Sequence, residues 1–166
     1  MSNWLTEARN RLVAAGFSIL DDVPFNGGSF KNVARRSRFE LTKFGFCETF
    51  FVFAEFSTLN SNVMRSFSAD AFRCAMQHKK IPLPCGLFES VFCFAIAATL
   101  AVDEATQQSV RNETPPRHWA AGEIPVVFDQ VQGKLYYFER TPLWGAAYYA
   151  GFRGQIEQFL GKGAKS

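Results

Sequence analysis

The feature that most constrains the fold is the run from Glu48 to Phe56, which is apolar on nearly both of its sides. Alternate residues of a strand point to opposite faces. Here one face would carry Phe50, Val52, Ala54 and Phe56, and the other Phe51, Phe53 and Glu55. A strand with two apolar faces is typical of the centre of a sheet. The sequence therefore predicts a central strand, reached from an earlier strand by a tight reversal at Gly45.

Phenylalanine dominates the apolar composition. The chain has 166 residues and nineteen phenylalanines, and aromatic residues make up 16% of it. A chain of this length can bury a substantial core as one domain, and that core must consist largely of packed rings. We expect one domain over residues 1–160 and a solvated tail over residues 161–166, which combine glycine, lysine and small side chains.

Hydrophobic spacing and turn residues divide the rest of the chain into helices and strands. The predicted order is a helix at Asn3–Ala15, a strand at Phe17–Leu20, a loop at Asp21–Ser29, a hairpin over Asn32–Phe56, a helix capped by Ser61 or Asn62 and ending near His78, a strand at Phe88–Leu100, a helix at Asp103–Arg111, a hairpin over Pro125–Glu139, and a C-terminal helix with interruptions at Gly151 and Gly154. This order predicts an α+β fold with an antiparallel or mixed sheet and helices chiefly on one face.

Charge and targeting signals give only broad limits. The net charge of +3 falls short of the basic balance of a dedicated nucleic-acid binder. Residues 1–11 alternate polar and charged side chains where a signal peptide needs an apolar stretch. The longest nearly uncharged stretch, Val91–Val102, is too short for a membrane span. We therefore expect a cytoplasmic protein with no membrane association.

The four cysteines and the common motifs indicate no cofactor. Cys47, Cys74, Cys85 and Cys93 do not have the spacing of a metal clip or of a disulfide framework, so buried free thiols are expected. The chain has no GxxxxGK[ST], GxGxxG, HExxH or GxSxG motif. We expect no metal site and no cofactor.

The segment after Pro115 and Pro116 contains the most suggestive polar cluster: Arg117, His118 and Trp119, followed by Glu123. Loops commonly carry functional residues. His118 would be a proton shuttle with Glu123 orienting it, if the loop folds back. The structural alternative is a surface loop anchored by a buried Trp119.

A second candidate is the aromatic turn that contains Trp144, with Tyr148 and Tyr149 just beyond it. Aromatic side chains with polar tips are common anchors for ligands and partners. They serve equally well to seal the end of a sheet. The turn is therefore a candidate pocket or partner groove.

A third candidate is the basic cluster Lys31, Arg35, Arg36 and Arg38, flanked by Phe30 and Phe39. Cations beside an exposed ring are typical of nucleic-acid contacts. Positive charge on the edge of a sheet, where it prevents edge-to-edge association, gives the same pattern.

Asp129 and Glu139 flank the late hairpin and suggest a comparison with metal-dependent nucleases. Such sites need a lysine two positions beyond the acid, and Thr141 occupies that position after Glu139. Asp129 is better interpreted as part of the turn.

The sequence leaves three functional hypotheses. The first is a non-enzymatic binding or assembly module that uses the aromatic surface at Trp144 and Tyr148, with a protein partner or a second copy of the chain. The second is a nucleic-acid-associated protein that uses the basic cluster. The third is a small enzyme that uses His118 and Glu123.

Overall fold

A computed structural model describes residues 3–26, 28–40, 45–82, 85–86, 88–141 and 146–161, with only the backbone described at Arg117 and residues 146–148. Its helices are α1 (Asn3–Ala14), α2 (Ser61–Gln77), α3 (Glu104–Asn112) and α4 (Ala146–Leu160). Its strands are β1 (Ser18–Leu20), β2 (Val23–Phe25), β3 (Gly28–Phe30), β4 (Asn32–Glu40), β5 (Gly45–Phe56), β6 (Glu89–Thr99), β7 (Arg117–His118), β8 (Ala121–Asp129) and β9 (Lys134–Tyr137).

The run predicted as a central strand is β5, and it lies in the middle of the main sheet. The order across the sheet is β1, β4, β5, β6 and β8, with β7 and β9 along the outer edge of β8. β4 and β5 pair antiparallel, as predicted. β5 pairs parallel with β6, and β6 pairs parallel with β8. The predicted α+β class with a mixed sheet is confirmed.

The two parallel connections each contain a helix, because a parallel pair needs a long crossover. α2 connects β5 to β6, and α3 lies between β6 and β8. The side chain of Asn60 caps α2 by accepting from the amide of Val63, one residue before the predicted caps. Asp103 caps α3 in the same way through the amide of Thr106.

Helices cover both faces of the sheet, whereas the sequence analysis placed them chiefly on one face. α2 and α3 cover the face that carries Phe50 and Val52, and α1 and α4 cover the face that carries Phe51 and Phe53. The physical reason lies in β5 and β6, because strands apolar on both sides must be shielded from water on both sides. Phe51 and Phe94 stack at the centre of the second face, with ring centroids 4.5 Å apart.

The first and last helices meet on that second face. The indole Nε1 of Trp4 donates to the carbonyl of Leu160 over 3.0 Å, and the Arg11 guanidinium donates to the carbonyl of Phe159 over 2.8 Å. α4 runs without interruption through Gly151 and Gly154, where the sequence suggested breaks. Tertiary packing of Ile156, Phe159 and Leu160 outweighs the low helix propensity of glycine.

The segment Asp21–Ser29, predicted as a loop, contains most of a small second sheet. β2 and β3 pair antiparallel, with Val23 opposite Phe30. Val23 and Phe25 are buried against the α2 face. Within the described ranges, no helix is both long and apolar enough to cross a bilayer.

Candidate functional site

A cleft of about 580 Å³ opens at the edge of the sheet where β5, β6 and β8 begin. The three strands are parallel, so their amino ends meet there. Most of the exposed wall is apolar, and its rings are Phe46, Phe88, Phe92, Tyr149 and Phe152. Its ionisable side chains include Glu40, Glu89, His118 and Glu123. The cleft therefore combines an aromatic wall with a few polar groups.

His118 and Glu123 meet in this cleft. β7 folds back on β8 through Trp119 and Ala120, which places His118 opposite Ala121. Ala120 adopts the left-handed backbone region that such a tight turn needs, with φ 51°. The His118 Nε2 then lies 3.2 Å from the Glu123 Oε2. The loop folds back as the proton-shuttle hypothesis requires.

The imidazole of His118 is held from the other side by α2. Its ring stacks on Phe72, with centroids 4.1 Å apart and an angle of 12° between the planes. Glu123 is buried, whereas His118 is partly open to the cleft. A buried carboxylate bonded to one ring nitrogen is the arrangement that orients a histidine for binding or proton transfer.

Cys93 lies beside Glu123 on the neighbouring strand. Burial, and next the negative charge of Glu123, raise the pKa of the Cys93 thiol well above its ordinary value. Cys93 is therefore a neutral thiol at physiological pH, and it is not an activated nucleophile for His118.

Two further buried carboxylates, Glu48 and Glu89, lie on the same face of the sheet near the cleft. Lys79 forms an ion pair with the Glu89 Oε2. The other oxygen of Glu89, Oε1, has no hydrogen-bond partner among the described residues. The Oε1 of Glu48 accepts from the amides of Lys80 and Ile81, both over 2.8 Å.

Sequence reasoning missed Glu48 and Glu89, although a signal was present. Each is an acid within the first residues of a largely apolar strand. A carboxylate at such a position is carried into the interior with its strand, and it then needs a specific partner. The partners here come from the segment after α2.

Trp119 is 83% exposed, so the interpretation of this residue as a buried anchor of the loop is wrong. The tight turn between β7 and β8 holds the loop, and the ring lies outward on the rim of the cleft. Trp119 packs over Gly86, which belongs to the wall.

The aromatic-turn candidate falls mostly outside the described residues. Trp144 and the side chains of Tyr148 and Arg117 are outside them. The neighbouring Tyr149 is described, and it lines the cleft with its ring centroid 5.8 Å from that of Phe152. Of the aromatic residues predicted at this turn, the described Tyr149 thus lies in the cleft.

The structure does not bring the basic cluster together on one face. Arg35 donates to the carbonyl of His78 on the α2 side, and Arg36 donates to the carbonyl of Ala15 on the α1 side, each over 3.0 Å. Burial and the charge of Arg38 lower the pKa of Arg36. Lys31 and Arg38 are exposed. Two of the four cations thus have structural roles.

Asp129 and Glu139 have separate partners. The Asp129 Oδ1 accepts from the amides of Val131 and Gln132, both over 2.9 Å, as expected of a turn residue. Glu139 pairs with Arg111 at 2.8 Å. Across the part of the chain that the structure describes, no three His, Cys, Asp or Glu side chains group as metal ligands.

No family model, curated protein or solved structure matches this chain.

Proposed function

We propose that this protein is a binding module that takes a small, largely apolar molecule with one polar group into the aromatic cleft. The observation that carries the proposal is the His118–Glu123 pair in a concave, mainly aromatic wall. Ligand sites typically combine such a wall with a few convergent polar groups. The proposal retains the aromatic-surface hypothesis and moves its centre from Trp144 to the cleft.

The size of the cleft supports a small molecule as the occupant. Its volume of about 580 Å³ lies within the range typical of small-molecule sites. A ligand there would contact Phe92 and Phe152, whose rings are 4.9 Å apart. His118 and Glu123 lie on the α2 side of the sheet, so a ligand that contacts Phe92 and Phe152 on the α4 side would reach His118 with its polar group around the strand ends.

The test compares two exposed apolar side chains, one in the wall and one outside it. Phe88 and Leu100 are each 57% exposed, but only Phe88 belongs to the wall. Hits from a fragment screen by ligand-observed NMR would be titrated against F88A and L100A. We expect F88A to weaken binding about tenfold, the equivalent of about 1.4 kcal/mol, because a ring contact is lost. L100A should bind as the wild type does.

Equal affinities in the two variants would contradict the proposal, because binding would then be independent of the wall. A screen without hits would also count against it. A protein partner, a second copy of the chain or a nucleic acid would then be the expected binding partner.

A second candidate, proton transfer by His118, is favoured by one specific observation. A base hydrogen-bonded to a buried carboxylate is the geometry of a general base with its orienting group. Activated esters and carbonyl compounds with exchangeable α protons are suitable probes. The rate of ester hydrolysis, or of α-proton exchange, should fall to background in H118A and fall partly in E123Q. Equal rates in all three proteins would exclude this role.

A further inference from the structure

We propose that two copies of this chain associate through the edge of the sheet where β5, β6 and β8 begin, and that Trp119 of each copy covers the mouth of the other copy's cleft. This inference goes beyond the proposed function, because the contact does not depend on which ligand the cleft takes. It is carried by the exposed aromatic rings of this edge and by the recess beside them.

The exposed aromatic side chains of the described residues gather at this one edge. They are Phe39, Phe88 and Trp119, with exposed fractions of 51%, 57% and 83%. Leu100 and Val131, which are exposed aliphatic residues, follow the ends of β6 and β8 at the opposite edge. Single exposed apolar residues are ordinary, but a group of them at one place indicates a contact surface. We call Phe39, Phe88 and Trp119 the aromatic rim.

Short contacts connect the three residues of the aromatic rim. The ring of Phe39 packs against that of Phe46, with centroids 5.1 Å apart. The amide of Phe46 donates to the carbonyl of Phe88 over 2.7 Å. Trp119 lies over Gly86, two residues before Phe88. Phe46, Gly86 and Phe88 also line the cleft, so the aromatic rim borders its mouth.

The area of the aromatic rim is sufficient for a reversible dimer. Aromatic side chains have areas of about 150–250 Å² each, so the exposed fractions correspond to about 400 Å² in total. A standard interface buries about 800 Å² of each partner. The aromatic rim therefore supplies about half of one partner's share before any other residue is counted, and a contact of this size is typical of a weak complex.

A second copy of the chain is the partner that this edge fits, because the edge carries both halves of a contact. In a twofold interface the same surface belongs to both partners, so a protrusion must lie beside the recess that receives it. Trp119 is the protrusion, since the tight turn between β7 and β8 presents it to solvent. The recess is the cleft, whose volume of about 580 Å³ is that of a site for a molecule larger than an indole.

The first experiment measures the mass of the full chain by sedimentation equilibrium over a range of concentrations. We expect a reversible dimer with a Kd in the micromolar range. Trp119→Ala should raise this Kd at least about tenfold, because exposed tryptophans are frequent hot spots of interfaces. Trp119 is 83% exposed, so its variant should fold. The control is Leu100→Ala at the opposite edge, which should leave the Kd unchanged.

Added salt should also leave the Kd unchanged, because the contact is apolar. A chain that stays monomeric at every concentration would overturn the proposal. A dimer that forms equally well in Trp119→Ala would overturn it too, since the association would then use another surface.

The second experiment tests whether the indole of one copy meets the cleft of the other. Native mass spectrometry distinguishes the pairs formed in a mixture of Trp119→Ala and Phe88→Ala. Each homodimer has both contacts damaged, whereas the heterodimer keeps one indole and one complete wall that face each other. We therefore expect heterodimers more often than random pairing gives. Heterodimers at the random frequency would show that Trp119 does not enter the partner's cleft.

The outcomes separate this inference from the proposed function. If the chain is monomeric and F88A still weakens the binding of fragments, the interface is wrong and the binding function stands. If the dimer forms as expected and no fragment binds, the cleft serves the partner's indole, and the proposed function is wrong.

Discussion

The indole of Trp119 lies so close above Gly86 that a methyl group built on this glycine would stand 1.9 Å from the indole Nε1. Gly86 also has a φ of +97°, which side chains with a β-carbon rarely adopt. Two separate requirements thus disfavour any other residue at position 86. The arrangement positions an exposed tryptophan on the rim of the cleft without burying it.

Gly86→Ala should therefore move Trp119 and destabilise the fold by about 1 to 2 kcal/mol, from backbone strain and from the displaced ring. Urea unfolding would measure the free energy, and tryptophan fluorescence would report the ring. The matched control is Gly151→Ala in α4, where a β-carbon meets no neighbour within 4 Å. Gly151→Ala should leave the free energy of unfolding unchanged or raise it slightly. Equal effects of the two changes would contradict the role of Gly86.

Glu48 should matter through its role as an acceptor more than through its charge. Glu48→Ala leaves the amides of Lys80 and Ile81 without their partner, and we expect a loss of about 2 to 4 kcal/mol in the free energy of unfolding. Glu48→Gln keeps a carbonyl oxygen in place, so its loss in the free energy of unfolding should be less than half of that for Glu48→Ala. Urea unfolding of both variants would measure the difference. If the two losses are the same, the two amides are not what Glu48 stabilises.

Tyr137 should make the fold lose stability at high pH. Burial, and next the hydrogen bond to Glu157, raise the pKa of Tyr137 to about 12. A tyrosine in the unfolded chain has a pKa of about 10, so the unfolded state releases this proton first. The stabilising contribution of Tyr137 is complete below pH 10 and is lost as the pH rises toward 12.

Tyr137→Phe removes that titration, and urea unfolding between pH 8 and pH 11 would detect the change. At pH 8 the wild type should be more stable by about 1 kcal/mol, the worth of one hydrogen bond. The gap should narrow above pH 10. A constant gap across this range would show that Tyr137 does not contribute to the pH dependence.

The cysteines should differ strongly in reactivity. Burial raises the pKa of Cys74 to about 11, and it raises the pKa of Cys93 well above the ordinary value. Burial also raises the pKa of Cys85; the charge of Lys79 opposes this shift and the charges of Glu89 and Glu48 add to it, but Cys85 is partly exposed, unlike Cys74 and Cys93. Because the thiolate is the reactive form, a disulfide reagent at pH 8 should modify Cys85 before Cys74 and Cys93. The measurement is the time course of thiol release, and Cys85→Ser should abolish its early phase. An early phase that persists in Cys85→Ser would contradict this assignment.

The large elements could be predicted because their signals extend over many residues. The alternating apolar pattern around Phe50 and Phe51 indicated the central strand, and the spacing of Trp4, Leu5, Ala8 and Leu12 indicated α1. β2 and β3 have three residues each, which is too short for a periodic pattern. The same two-sided pattern in β5 also implied cover on both faces, but residue spacing cannot assign a helix to a face.

The candidate site was predictable only where its residues are close in the sequence. His118 and Glu123 are five positions apart and meet through one tight turn. Glu89 and Tyr149 are brought to the same cleft by strand pairing and by the return of α4, and no local pattern encodes such a meeting. The exposure of Trp119 could not be predicted from the sequence either, because a large aromatic residue is more often buried than exposed.

The hydrogen bond from Trp4 to Leu160 joins the first helix to the last, so it can form only at the end of synthesis. α4 emerges from the ribosome after every strand of the sheet, and Phe159 is the residue that covers Phe17 and Phe51. The part of the second face that α4 covers therefore remains open to water, and to other nascent chains, until residue 160 has been made. A ribosome that stalls before α4 would therefore release a chain in which Phe17 and Phe51 lack the cover of Phe159.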